Sequence, residues 1–141
     1  MVKKELIKKE LINKAIAAKE KAYVPYSKFH VGAAVLTEDN EIYTGCNIEI
    51  ASYSPTICAE RTAIFKAVSE GHRKIKAVAV VGDANHTFPC GVCRQVIREF
   101  GNDATIIIAN SQEDFKEFTL DQLLPHSFGP DDLDSVKDKE K

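Results

Sequence analysis

The chain has 141 residues, which is room for one domain and little more. Hydrophobic residues make up 44% of it, enough to build a core, and this excludes a wholly disordered chain. A formal charge of −2 and a pI of about 6.1 provide no strongly basic surface and argue against a nucleic-acid partner.

Residues 3 to 23 read as an amphipathic helix. Leu6, Ile7, Leu11, Ala15, Ala18 and Ala22 recur at three- and four-residue steps among lysines and glutamates, and Pro25 ends the pattern. Charges run on through Lys21 with no apolar stretch of signal-peptide length, and no run is long enough to span a bilayer. The expectation is a cytoplasmic protein without a membrane partner, its cysteines reduced and available for a metal or for catalysis.

Phe29 to Thr37 and Ile42 to Cys46 read as strands of a hairpin, joined at Glu38-Asp39-Asn40. A polar loop over 47 to 57 leads to a helix from Cys58 to Val68, closed by Gly71. Ile75 to Val81 is a nearly continuous apolar run, as in a buried strand. A loop over 82 to 89 leads to a helix from Cys90 to Phe100, ending at Gly101. Thr105 to Ala109 is a second buried strand, Phe115 to Phe118 a short edge strand, and Thr119 to Leu124 a short helix stopped before Pro125. This order predicts an α/β fold: one mixed sheet with helices on its faces and parallel strands joined by crossovers. The domain is expected over residues 1–133. The last eleven residues, from Asp131, include eight charged ones and are expected to fray, with a charged tail over 134–141.

Four cysteines occur, at 46, 58, 90 and 93. Cys90-Gly91-Val92-Cys93 alone fits a redox pair or half of a zinc site. Cys58 adds a third thiol, and three protein ligands with one open position is the pattern of a catalytic zinc. Cys46 is a candidate fourth ligand, but its place in a strand suits a small core residue. Both ligand segments start helices, where free N–H groups and the positive helix end favour thiolates. A dication with three thiolates still carries one excess negative charge. Arg61 and Arg94 could offset it through hydrogen bonds to sulfur, or be ordinary surface charges. Glu60 sits two residues from Cys58. A carboxylate there can stand beside the metal without binding it and accept a proton from water; alone, it would complement the helix dipole.

Cys58-Ala59-Glu60-Arg61 followed by Pro89-Cys90-Gly91-Val92-Cys93-Arg94-Gln95 closely resembles the cytidine deaminase family. Pro25 to Phe29, Val31 to Ala34, Gly45 to Glu49, Leu123 to Pro125 and Ser127 to Pro130 extend the resemblance over about Tyr23 to Leu133. It implies a five-stranded α/β/α sandwich, one Zn2+ per subunit held by Cys58, Cys90 and Cys93, and hydrolytic deamination at C4 of cytosine with Glu60 carrying the protons. Cysteine at position 58 resembles the three-thiolate class, which implies free nucleosides as substrates and a homotetramer. By the same resemblance Asn47 and Glu49 hold the ribose and Phe29 lies beside the base. Ala51, Tyr53, Ala59 and Phe128 complete the pocket, some of them from neighbouring subunits. From the residues alone, Phe29 and Phe128 suit core packing, and Asn47 and Glu49 a polar turn. Ile50 stands where relatives commonly carry Asn. Three alternatives stay open: deamination of a cytosine-bearing antibiotic of the blasticidin S type, a non-catalytic zinc module with Cys46 as fourth ligand, and a thiol redox role.

Overall fold

The computed structural model describes residues 2–134. Helix α1 (Val2–Lys19) is followed by strands β1 (Val31–Thr37) and β2 (Ile42–Cys46) and helix α2 (Ala59–Ser69). Strand β3 (Ile75–Gly82), helix α3 (Gly91–Phe100), strands β4 (Thr105–Ala109) and β5 (Phe115–Thr119) and the short helix α4 (Leu120–Leu123) complete it. The five strands form one sheet in the order β2-β1-β3-β4-β5. Strand β1 is antiparallel to both β2 and β3, β3 and β4 run parallel, and β5 returns antiparallel to β4.

Alternation along the strands explains why both faces are covered. Ala34, Leu36, Ala79, Val81, Ile107 and Ala109 point to one side and pack against Leu11, Ile12 and Ala15 of α1. Ala33, Val35, Val78, Val80, Ile106 and Ile108 point to the other, against Ala63, Ile64 and Ala67 of α2, Ile97 of α3 and Leu120 of α4. A strand buried on both faces carries no polar alternation, which is why β3 and β4 look like continuous apolar runs. Thr119 caps α4 in a capping box with Gln122.

Several predicted boundaries move for identifiable reasons. Helix α1 stops at Lys19 rather than near residue 23. Beyond it the main chain pairs elsewhere: Tyr23 N–H donates to the Asn47 carbonyl at 3.0 Å, and the Tyr23 carbonyl accepts from Glu49 N–H at 2.9 Å. Strand β1 begins at Val31, because side chains rather than a ladder satisfy residues 29 and 30. Residues 130–134 are helical, where fraying was expected from Asp131. The rest of the expected tail, 135–141, lies outside the described residues. Among the described residues no helix is long and apolar enough to cross a membrane.

The registers set the place of the chemistry. Gly32 pairs with Cys46 and Val31 with Gly82, so the start of β1 and the ends of β2 and β3 share one edge. The end of β4 lies there too, since Val80 pairs with Ile108. Helices α2 and α3 start from that edge, where open α/β sheets gather their ligand sites.

Candidate metal and active site

Cys58 and Cys90 are not inside their helices. Each is the N-cap, with extended dihedrals of φ −78°, ψ 156° and φ −69°, ψ 170°. Neither sulfur makes a capping hydrogen bond, so both remain available to another partner. Cys93 follows in the first turn of α3 and is fully buried. The three sulfurs all lie within 4.8 Å of one another, and Cys58 and Cys90 are 3.6 Å apart. Tetrahedral zinc with Zn–S bonds of ~2.3 Å sets its sulfurs about 3.8 Å apart, so the triad fits the ion with little rearrangement. Cys46 lies outside the cluster, which leaves three protein ligands and an open position. All four cysteines are free thiols.

Gly45 brings α2 to this place. A Cβ on it would lie 2.5 Å from the Ala59 carbonyl oxygen and 2.5 Å from the Ala63 nitrogen. Only a glycine lets the first turn of α2 sit this close to β2. Thr62 adds a tie, its hydroxyl shared between the carbonyls of Cys46 at 3.1 Å and Cys58 at 3.2 Å. Gly45→Ala is therefore expected to cost about 1–3 kcal/mol. It should also lower zinc content, read by thermal melting and metal analysis; a variant with parental melting and full zinc would show that α2 can retreat freely.

Thiol electrostatics also call for a cation. The Cys93 hydrogen bond holds the Cys58 thiol well below its usual range, with help from the Arg61 guanidinium. The Cys93 thiol is pushed far up by its bond to Cys58 and by burial. One thiolate is tolerated and the second is opposed, so full ionisation of the triad needs a positive ion among the sulfurs. Arg61 donates to Cys58 Sγ at 3.5 Å, while its Nε is buried without a hydrogen-bond partner among the described residues. Arg94 behaves differently. It donates to the carbonyls of Pro89 at 2.8 Å and Leu123 at 2.7 Å, so it braces the ligand loop rather than bonding to sulfur. Glu60, in the first turn of α2, is only 3% exposed, and burial pushes its carboxyl up to about 7.

Residues 6–109 match the model of the cytidine and deoxycytidylate deaminase zinc-binding region. The chain belongs to this family. The cytidine deaminase of Sporosarcina psychrophila is 57% identical over 118 residues, covering 82% of this chain and 87% of the relative. That of Halalkalibacterium halodurans is 51% identical over 121 residues, covering 84% and 92%. The crystal structure of cytidine deaminase from Burkholderia pseudomallei superposes with a TM-score of 0.80 at 46% identity, covering 84% of this chain and 97% of that one. The family binds zinc, and Cys58, Cys90 and Cys93 form a cluster able to hold it, so the CxxC belongs to a zinc-binding deaminase rather than to a redox pair or a closed structural zinc module.

Around the triad, this deaminase places the other predicted residues unequally. Asn47 and Glu49 are at the edge, but their side chains hold backbone. Asn47 accepts from Val31 N–H at 2.9 Å and donates to the Phe29 carbonyl at 2.8 Å. Glu49 accepts from Tyr26 N–H and Ser27 N–H, each at 3.0 Å, and from the Ser27 hydroxyl, which together hold its carboxyl below the usual range. Core packing does not describe Phe29, which is 37% exposed, or Phe128, which is 59% exposed. Tyr53 is 74% exposed on the loop after β2, with a left-handed φ of 65°, and Ala51 and Ile50 are exposed on the same loop. Ala59 opens α2 between Cys58 and Glu60; it has no exposed surface, and its side chain packs in the core.

Proposed function

We propose that this deaminase hydrolyses cytidine and 2′-deoxycytidine to uridine and 2′-deoxyuridine with release of ammonia, in pyrimidine nucleoside salvage in the cytoplasm. The observation that carries this reading is an open three-thiol site beside a buried carboxyl, in a chain 57% identical to a cytidine deaminase. When bound by Cys58, Cys90 and Cys93, zinc supplies the Lewis acidity that brings water ionisation toward neutral pH. Glu60 takes a proton from the attacking water and passes it to the pyrimidine ring. It then takes the remaining proton from the hydroxyl added at C4 and gives it to the amino group, so that the C4 carbonyl forms as the C4–N4 bond breaks and ammonia leaves. Arg61 holds charge on the Cys58 sulfur and keeps the ligand pointed at the metal.

Phe29 flanks the base, and Asn47 and Glu49 face the sugar hydroxyls while bracing the backbone. Tyr53 and Phe128 are too exposed to be finished by their own chain. Neighbouring copies in a homotetramer cover them, and with Ala51 they complete each other's pockets. A net charge of −2, with no overall excess of cations, favours an uncharged nucleoside over a phosphorylated one.

Loss of cytidine absorbance in the ultraviolet tests the reading. Turnover is expected with the purified protein, to stop after exhaustive chelation and to return with added zinc. Blasticidin S in place of cytidine should be turned over far less well. Absence of cytidine turnover by the zinc-loaded protein would overturn the assignment. An active monomer in sedimentation would remove Tyr53 and Phe128 from the site.

A further inference from the structure

Residues 28–30 reach β1 without joining a strand or helix, and Lys28 takes a left-handed φ of 62°. Side chains meet the backbone polar groups of this stretch. Phe29 N–H donates to Ser27 Oγ at 3.1 Å, while Asn47 holds the Phe29 carbonyl and the Val31 N–H. Between them, His30 N–H donates to Asp83 Oδ2 at 2.7 Å, and His30 Nδ1 lies 3.0 Å from the same oxygen. The other oxygen of Asp83 is 2.9 Å from Lys19 Nζ, at the end of α1. Asp83 itself opens the loop that leads from β3 to Pro89 and Cys90. One carboxylate therefore joins the end of α1, the segment carrying Phe29 and the start of the metal-ligand loop. His30 N–H and the Lys19 ammonium hold its carboxyl far below the usual range, so these are charge-assisted bonds at any working pH.

We infer that Asp83 is a positioning residue for substrate binding: by holding His30 N–H it fixes the Phe29 ring, and so sets affinity for the pyrimidine without touching it. The inference rests on Phe29 lying beside the base, as proposed above. Without Asp83 the chain between the two Asn47 bonds keeps a free N–H, and the half-exposed ring loses its fixed direction. An aromatic wall holds the base in ground state and transition state alike, so its loss raises KM and spares kcat.

Asp83→Ala is expected to raise KM for cytidine roughly ten-fold, the scale of one charge-assisted hydrogen bond, with kcat within about two-fold and zinc still at one per chain. Asp83→Asn keeps an oxygen for His30 N–H and is expected to restore KM to near the parental value. Phe29→Ala should raise KM as well, and the double variant should be no worse than Phe29→Ala alone. If Phe29→Ala leaves KM unchanged, the placement of Phe29 beside the base fails and the inference falls with it. If Phe29→Ala raises KM while Asp83→Ala does not, or if the two effects add, the inference alone fails. Should Asp83→Ala not fold, amide exchange in the unmutated protein decides. His30 N–H lies on no ladder and should still be protected by Asp83; exchange at the rate of a free peptide would overturn the inference.

Discussion

Glu60→Ala is expected to lower cytidine turnover by at least ~100-fold while zinc stays at one per chain, read by the ultraviolet assay and by metal analysis of the same preparation. The separation of the two readouts follows from geometry. Among the described residues the cluster able to hold a metal is Cys58, Cys90 and Cys93, so removing Glu60 deletes none of its members. Its backbone lies in the first turn of α2, held to β2 by the close approach at Gly45 and by Thr62, neither of which uses the Glu60 side chain. What is lost is a single carboxyl, buried beside Cys58, that no side-chain hydrogen bond explains structurally. Burial beside Cys58 makes this acid costly to ionise, and a carboxyl pushed up to about 7 suits a proton carrier near neutral pH. Turnover within a few-fold of the parent, with zinc in place, would remove Glu60 from the chemistry. Zinc lost together with activity would mean instead that the carboxyl supports the metal site.

What could be read from the chain, and what could not, divides along the distance over which each feature is encoded. The gathering of Cys58, Cys90 and Cys93 was legible because its signal is local: a CxxC at one helix start, a Cys-x-Glu at another, each on the loop after a strand. The sheet was legible because β3 and β4 are apolar on both faces, which only a two-sided burial produces. Boundaries failed where a distant partner overrides a local pattern. Residues 20–22 continue the helical spacing of α1, yet Tyr23 leaves to pair with Asn47 and Glu49. Phe29 and His30 extend the β-like run of β1, yet Asn47 and Asp83 take their hydrogen bonds. Asp83 itself gave no sequence signal, since its partner His30 is 53 residues away. A glycine inside a strand, such as Gly45, is the kind of local signal that can mark a close backbone approach. Arg94 differs again. Its neighbour Cys93 suggested a bond to sulfur, but the carbonyls of Pro89 and Leu123 satisfy its guanidinium first.

Cys58→Ala is expected to abolish both zinc binding and turnover, with metal affinity falling by well over ~100-fold, since even partners one bond removed from a metal are worth 10–100-fold. Three features put more weight on Cys58 than on an average ligand. It caps α2, whereas Cys90 and Cys93 both lie at the start of α3, so without it the cluster among the described residues falls to one CxxC. Hydrogen bonds from Cys93 and Arg61 hold the Cys58 thiol well below the usual range, whereas that of Cys93 is pushed up. Loss of Cys58 also strands Arg61, whose Nε is already buried without a hydrogen-bond partner among the described residues, so a charged group would be left short of acceptors at the site. The apoprotein should accordingly melt lower than the zinc-loaded parent by the full linkage of the lost metal. Cys46→Ala is the matched control. That thiol sits on β2 outside the cluster, so its removal should leave zinc at one per chain and turnover intact. Zinc retained by Cys58→Ala but lost by Cys46→Ala would mean that the ligand set is not the one the geometry gives, and with it the open coordination position on which the deaminase chemistry depends.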